Sequence, residues 1–450
     1  MHSKVNEVVI SQRDFFKSGA TLSYQFRKEA LLKLRRAVNL YKEEISLALE
    51  KDLGKSSGEA YLTEIGMVLQ SISYQLSHLR SFMRSRRRGF SISVFPSYGK
   101  IIPEPYGNVL VISPWNYPFL LAMDPLIGAV AAGNCVIVKP SEHSPNTSSL
   151  LEKMLSEIFD PSYIAVLTGD VDVAKELLDN RFDYIFYTGS AAVGKVVMKK
   201  AAEYLTPTTL ELGGKSPCII APDADIAESV RRIIFGKSLN SGQTCVAPDY
   251  LLVHKSIVDE VVKEFSKQLT VDPQFYRIIN EAHFKRLLSY LSQGDVIIGG
   301  GADSEALEIQ FTLLSISDTK APIMAEEIFG PLLPVVTYSD EEQLVGELKS
   351  KEKPLAFYAF SRDRRFIKRL LREVSFGGGA VNDTLMHIVD PNLPFGGVGY
   401  SGMGAYHGKA SFDTFTHYKS VLCSPSGWVA PLRYPPYKGL KERLIKLFLR

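Results

Sequence analysis

Several short stretches carry residue types able to do chemistry. In LNSGQTCVAPDYLLV (239–253), Cys245 follows a turn of small residues, Ser241-Gly242-Gln243-Thr244, and precedes a strand-like run, Tyr250-Leu251-Leu252-Val253. A thiol placed there is either a small buried hydrophobe, the usual state of a free cysteine, or a nucleophile at the mouth of a site. TLELGGKSP (209–217) sets one carboxylate, Glu211, among apolar residues ahead of two glycines. Apolar surroundings raise a carboxyl pKa and suit it to general-base work near neutrality, and a salt-bridged structural Glu would read the same way. SPWNYPF (113–119) holds Asn116 between rigid neighbours. Its amide is a suitable oxyanion donor, or a turn-former beside prolines.

Other stretches suit a ligand bearing phosphate and ribose. In FDYIFYTGSAAVGKVVMKKAAEYL (182–205), an aromatic strand runs into Thr188-Gly189, Gly194 follows, and a helix begins. Glycines at such a turn let backbone approach a phosphate, and the helix start favours negative charge. The spacing departs from G-x-G-x-x-G, so a plain helix entry stays open. VIVKPSEHSP (136–145) ends a buried strand at Lys139, with Glu142 three residues on. At the carboxyl end of a parallel strand such residues commonly meet a ligand, though a solvated loop fits equally. EEIFGPLLPV (326–335) pairs two carboxylates with an aromatic residue and a Gly-Pro turn, which alone says little.

The elements that must position these residues are legible as pattern. Leu31, Leu34, Val38, Tyr41, Ile45 and Leu49 recur at steps of three and four, as do Leu62, Ile65, Leu69, Ile72, Leu79 and Met83. Both series read as amphipathic helices. A hairpin-like piece follows: Phe90, Ile92 and Val94 alternate with polar residues, Pro96–Gly99 turns, and Lys100–Ile102 resumes extended chain. From 106 to about 225, apolar strands alternate with helices, at Val109–Ile112, Val136–Val138, Ala165–Leu167, Tyr184–Tyr187 and Cys218–Ile220. A similar alternation runs through Val296–Ile298, Leu333–Thr337 and Ala356–Ser361. Such βαβ alternation means parallel sheets covered on both faces, here in two α/β domains. The stretch 270–320 carries weak signals.

Bulk properties narrow the classes. The chain has 450 residues, 45% hydrophobic and 22% charged, an ordinary globular composition. A net charge of +3 gives no reason to expect nucleic acid as a partner. The four cysteines, Cys135, Cys218, Cys245 and Cys423, form no CxxC pair, so neither a disulfide framework nor a metal site is expected. A reducing, cytoplasmic compartment fits, and the N-terminus has no signal-peptide apolar region. Between Asn108 and Val138 the only charge is Asp124, but Pro114, Pro118 and Pro125 interrupt the run. Buried strands and a core helix near Asp124–Ala132 explain it better than a membrane span.

The order of the motifs decides between the open readings. Trp115-Asn116, Lys139-Pro140-Ser141-Glu142, Gly189…Gly194, Glu211-Leu212-Gly213-Gly214, Gly242-Gln243-Thr244-Cys245, Glu327-Ile328-Phe329-Gly330-Pro331 and Pro394-Phe395-Gly396-Gly397 follow one another as in the aldehyde dehydrogenase superfamily. The resemblance spans nearly the whole chain and is most specific over Leu210–Pro217 and Asn240–Pro248. NSGQTCVAPDY, LPFGGVGYSGMGAYHGK and RYPPY resemble the class 3 branch.

That resemblance implies an α/β fold: a Rossmann-like NAD(P)-binding domain (1–85 and 104–210), an α/β catalytic domain (211–395), oligomerisation strands (86–103 and 408–425) and a basic amphipathic tail (426–450). It implies oxidation of medium- or long-chain aliphatic or aromatic aldehydes by a homodimer with NAD or NADP. Cys245 would be the nucleophile, Asn116 and the Cys245 N–H the oxyanion donors, and Glu211 the base that activates water on the thioester. Lys139 and Glu142 would meet the adenosine ribose, Gly189, Ser190 and Gly194 the pyrophosphate turn, and Glu327, Phe329 and Trp115 the nicotinamide end. A coenzyme A-acylating enzyme is the alternative, and Glu211 argues against it.

The chain departs from the family pattern at Ala191, where Thr is common, at Tyr276, where Gly is common, and at Phe311, where Pro is common. Arg84 and Arg86–Arg88 make a basic run. The tail places Leu440, Leu444, Leu447 and Phe448 on one face with Lys441, Arg443 and Lys446 elsewhere. It is too short to span a membrane, and is expected either to pack on the protein or to rest on an anionic membrane surface.

Overall fold

The computed structural model describes residues 4–89, 94–269, 275–427 and 431–448. Two twisted α/β sheets hold the core. In the first, the spatial order is Gly402–Met403, Thr208–Glu211, Tyr184–Thr188, Asn108–Ile112, Cys135–Lys139 and Ile164–Val166. All neighbours are parallel except Gly402–Met403, which runs antiparallel to Thr208–Glu211. The chain builds outward from Asn108–Ile112 in one direction, then jumps back to build in the other. That reversal makes a topological switch point, and ligands bind outside the carboxyl ends of strands at such points. The strands read as continuous apolar runs because helices cover both faces.

The second sheet has the order Asp295–Ile298, Thr312–Ser315, Leu332–Tyr338, Tyr250–His254, Pro217–Ile220, Ala356–Phe360 and Gly378–Val381. Only Asp295–Ile298 is antiparallel to its neighbour. The two sheets meet end to end. Thr208–Glu211 belongs to the first, and after five intervening residues Pro217 begins a strand of the second. The carboxyl ends of the first sheet therefore face the loops entering the second, and the seam between them receives most of the candidate residues.

A helical layer covers the first sheet. The long apolar series breaks at Tyr41, giving Tyr24–Leu40 and Lys42–Leu53 rather than one helix, yet Leu31, Leu34, Val38, Ile45 and Leu49 all stay in the core. Leu120–Ala132 lies beneath them with Leu121 to Ala132 all buried, which accounts for its unbroken apolar sequence. Pro145–Ile158 and Ala191–Glu203 follow their strands as crossover helices.

A small antiparallel sheet stands apart: Arg86–Arg88, Tyr98–Pro105 and Thr416–Cys423. Extended chain resumes at Tyr98, two residues before the expected Lys100. Phe90 and Ile92 lie outside the described residues. The span 408–425 is not all strand: Gly408–Thr414 is a helix and the strand starts at Thr416. The reason is packing, since Phe412 is fully buried against Phe82 and Ser411 sits where a side chain on Gly128 would have to go. The chain also returns to the first sheet at Gly402–Met403, beyond the end of the second sheet at Val381.

The two unusual residues of the weak segment are both accommodated. Tyr276 lies in a short strand paired with Glu308–Gln310, and its hydroxyl donates to Ser238 Oγ at 2.8 Å. Phe311 is buried near Phe265. The tail forms a helix, Leu440–Phe448, with Leu440, Leu447 and Phe448 exposed. Among the described residues no helix is long and apolar enough to cross a membrane.

One buried ion pair ties the helical layer to the first sheet. Lys55 Nζ lies 2.6 Å from Glu64 Oε1, with both side chains almost wholly buried. The other oxygen, Glu64 Oε2, accepts from the Phe119 and Leu120 N–H groups at 2.9 and 3.1 Å. It thereby caps the start of Leu120–Ala132. Glu64→Gln leaves the Lys55 ammonium buried and uncompensated. It is expected to cost about 3–5 kcal/mol of stability, read as a lowered urea midpoint.

Candidate active site

The turn before Cys245 is strained. Asn240 and Ser241 have φ of 51° and 61°, and Gly242 has φ of 70°. Non-glycine residues visit this left-handed region only when their surroundings impose it. Here the Asn240 N–H donates to Glu59 Oε1 at 2.7 Å, and Asn240 Nδ2 donates to the Asn116 and Gln243 carbonyls at 2.7 and 3.0 Å. Gln243 is fully buried and reaches the end of the short strand Phe275–Arg277, donating to the Arg277 carbonyl and accepting from the Ile279 N–H. The turn delivers a half-buried Cys245 to the wall of a cavity of about 210 Å³.

Asn116 is held from both sides. Its Nδ2 donates to the Gln243 carbonyl at 3.0 Å, and its own carbonyl accepts from Asn240 Nδ2 and from Lys55 Nζ. One amide N–H of the side chain is thus spent on orientation and one is left to act. Tyr117 Oη and Thr244 Oγ1, 2.6 Å apart, add a second tie between this loop and the residue before Cys245. Lys55 Nζ sits 3.9 Å over the Tyr117 ring.

Three ionisable groups crowd the seam. Glu211 ends the strand Thr208–Glu211, is buried, and has no hydrogen-bond partner on either carboxyl oxygen. Burial alone pushes its pKa well above the usual carboxylate range. Glu327 crosses over Gly213, where any side chain would collide with its carboxylate. Its pKa rises to about 8, first through burial and then through Asp249, against the pull of the Gly214 N–H, Lys215 and Lys237. Cys245 is pushed up by burial first, then by Glu327 and Glu211. The thiol, not the thiolate, is therefore the resting form.

The residues expected at the cofactor line the carboxyl ends of the first sheet. Ser190 caps the helix Ala191–Glu203, with its Oγ accepting from the Val193 N–H at 3.4 Å. The Gly189 N–H is taken by the Glu211 carbonyl at 3.0 Å. Gly194 packs against Leu212. The Gly189 N–H is therefore engaged within the fold, while the N–H groups of Ala191 and Ala192 open the first turn of the helix. Lys139 is buried at its strand end, and its Nζ reaches the Pro140 carbonyl at 2.8 Å and the exposed Glu142 at 3.3 Å. Across the seam, the Trp115 ring meets Phe329 edge-on at 5.4 Å, and Phe329 holds a φ of 54°. These features fit a dinucleotide: a helix start for phosphates, a Lys–Glu pair for ribose hydroxyls and a carboxylate at the inner end. Among the described residues no His, Cys, Asp or Glu group could hold a metal ion.

Sequence reading missed much of the supporting cast. The cavity wall is largely apolar, with Leu62, Met67, Leu121, Phe235, Leu385 and Phe395 among its residues. Lys237, fully buried with no hydrogen-bond partner, has its pKa lowered to about 8 chiefly by burial. Lys215 and Asp249 pair at 2.6 Å beneath Glu327. One signal was available: Glu64 shares a helical face with Val68 and Ile72, so it puts a charge on an apolar stripe.

Because burial and two carboxyl groups raise Cys245, its alkylation by iodoacetamide is expected to be slow at pH 7. The rate should climb about tenfold per pH unit to pH 9. Mass spectrometry of the Cys245 peptide follows it, and a flat profile would mean a preformed thiolate.

Residues 2–421 match the family model described as the aldehyde dehydrogenase family. The chain is 44% identical to the 4,4'-diaponeurosporen-aldehyde dehydrogenase of Staphylococcus aureus over 99% of each chain. It is 44% identical to aldehyde dehydrogenase family 3 member A2 of Mus musculus, over 98% of this chain and 93% of that one. The substrate-bound structure of Staphylococcus aureus AldH superposes with a TM-score of 0.97 at 44% identity over the whole of both chains. The NAD+ complex of a Mycobacterium tuberculosis aldehyde dehydrogenase does so at 0.85 and 27%, over 95% of this chain and 91% of that one. With the Cys245 thiol, the Asn116 amide and the Glu211 carboxyl group gathered between two α/β sheets, this chain belongs to the aldehyde dehydrogenase family.

Proposed function

We propose that the chain oxidises apolar aldehydes to carboxylic acids with NAD or NADP, using Cys245 as nucleophile. The observation that carries this reading is Cys245 on the wall of a largely apolar cavity, electrostatically coupled to a buried, unpartnered Glu211. An apolar wall favours an alkyl or aromatic tail and leaves the carbonyl to the polar seam. The Staphylococcus aureus relative is itself named for an aldehyde substrate.

In this reading the Cys245 thiol passes its proton through water to Glu211, which releases it to solvent before the hydrolytic step, and the sulfur adds to the aldehyde carbon. The carbonyl oxygen becomes an alkoxide, met by the spare Asn116 amide N–H and the Cys245 backbone N–H. NAD or NADP, when bound, supplies the hydride acceptor that takes the adduct to a thioester. Ala191, Ala192, Ser190, Lys139 and Glu142 would hold its phosphate and ribose groups, with Glu327, Phe329 and Trp115 at the nicotinamide end. Glu211, its pKa raised by burial, takes a proton from the water that attacks the thioester. The carbon–sulfur bond then breaks, and Cys245 departs as thiolate.

The test is a panel of aldehydes from propanal to hexadecanal plus benzaldehyde, each with NAD and with NADP. Wild type is expected to reduce cofactor and Cys245→Ala to be inactive. Glu211→Gln should keep a single-turnover burst of reduced cofactor yet lose about 100-fold or more in steady-state rate. The wild-type steady rate should rise with pH as Glu211 ionises. Acyl-coenzyme A formation on adding coenzyme A would overturn the hydrolytic reading.

The reading includes a homodimer built on the small sheet, whose outer strand leaves Val421 and Leu422 exposed. Sedimentation velocity should give twice the 50.0 kDa chain mass, and Leu422→Asp should give the single chain.

A further inference from the structure

Among the segments that line the cavity at Cys245, two are distant from one another in sequence. One is the nucleophile's turn, through Thr244, Cys245 and Val246; the other is the segment Leu385 to Val389, through Leu385, Met386, Ile388 and Val389. They are joined by a single hydroxyl. Tyr358, fully buried on the strand Ala356–Phe360, donates its Oη–H to the Val246 carbonyl at 2.6 Å. The same oxygen accepts from the Leu385 N–H at 3.3 Å. Tyr358 does not line the cavity itself, so it would act through the two segments it joins.

Leu385 sits at φ 59° and ψ −33°, a conformation an L-leucine does not adopt without constraint. The constraints are visible. Asn382 is bound to the Ala359 carbonyl and exchanges hydrogen bonds with Ser361. Thr384 Oγ1 donates to the Arg232 carbonyl at 2.7 Å. Beyond these, the Leu385 N–H has the Tyr358 oxygen. We propose that Tyr358 is a positioning residue that fixes the spacing between the nucleophile's turn and the Leu385–Val389 wall, and so sets the chain-length preference for aldehydes. The inference rests on Cys245 being the nucleophile and the cavity being the substrate channel.

Tyr358→Phe keeps the ring and removes the oxygen. Two buried backbone groups then lose their partner, and the strained Leu385 is released. Neither group touches the reacting atoms, so the loss falls on binding of the tail rather than on the chemical step. For dodecanal, KM is expected to rise about tenfold, the factor equivalent to one unmet buried hydrogen bond. For propanal, which does not reach the wall, KM should stay within about twofold, and kcat for both within about threefold.

The experiment measures kcat and KM for both aldehydes with wild type, Tyr358→Phe and Thr384→Val, which loosens the same wall from its other anchor. Thr384→Val should shift the dodecanal KM the same way by a smaller factor. A KM that moves equally for both aldehydes, or a fall in kcat alone, overturns the proposal. If Tyr358→Phe does not fold, Thr384→Val decides it alone: an unchanged dodecanal-to-propanal KM ratio overturns the proposal. Absence of turnover in wild type, or turnover that survives Cys245→Ala, would instead remove the functional reading beneath it.

Discussion

Left-handed backbone at Asn240, Ser241 and Gly242 is the constraint around which the site is assembled. For Asn240 and Ser241 this backbone costs about 1–3 kcal/mol each and persists only because their surroundings hold it. The holding groups come from every layer of the molecule. Glu59 reaches from the helical layer, the Asn116 carbonyl from the loop after the central strand of the first sheet, and Gln243 ties onward to Arg277 and Ile279. The turn that presents Cys245 is thus the point where three separately built parts of the chain agree. The Lys55–Glu64 pair extends this agreement outward, because Lys55 also reaches the Asn116 carbonyl.

Desolvation sets the character of the seam. Glu211, Glu327, Lys237 and Cys245 all lie where burial penalises the charged form. Glu327 is drawn back toward ionisation by Lys215 and Lys237, while Glu211 has no such neighbour among the causes of its shift. The two buried carboxyl groups therefore sit in different electrostatic environments. The same burial favours the protonated form of the Cys245 thiol.

Much of this was legible in the sequence, for identifiable reasons. Strands buried on both faces print as apolar runs, so Asn108–Ile112, Cys135–Lys139 and Tyr184–Thr188 were readable to within a residue or two. Cys245, Asn116 and Glu211 could be ranked because their order along the chain resembled a family, not because any one motif was specific alone. What stayed hidden depended on long-range packing. The helix at Gly408–Thr414 is fixed by contacts with Phe82 and Gly128 that are remote in sequence. The packing reason for a glycine at 189 was equally hidden: its N–H donates to the Glu211 carbonyl, and a side chain there would meet the Tyr187 hydroxyl. Tyr358 and Lys237 carry no local pattern, since nothing near them in sequence says what lies above them in space.

The return of the chain at Gly402–Met403 and Thr416–Cys423 bears on how the molecule is made. These segments pair with Leu210–Glu211 and with Tyr98–Pro105, partners synthesised roughly 190 and 300 residues earlier. A chain emerging from the ribosome can therefore complete the strands of its second sheet while the outer edge of Thr208–Glu211 is still unpaired. For that interval the edge is a row of open backbone donors and acceptors, the kind of surface that recruits other nascent chains. The last fifty residues close it, so a truncated product would carry a finished second unit and an unfinished first.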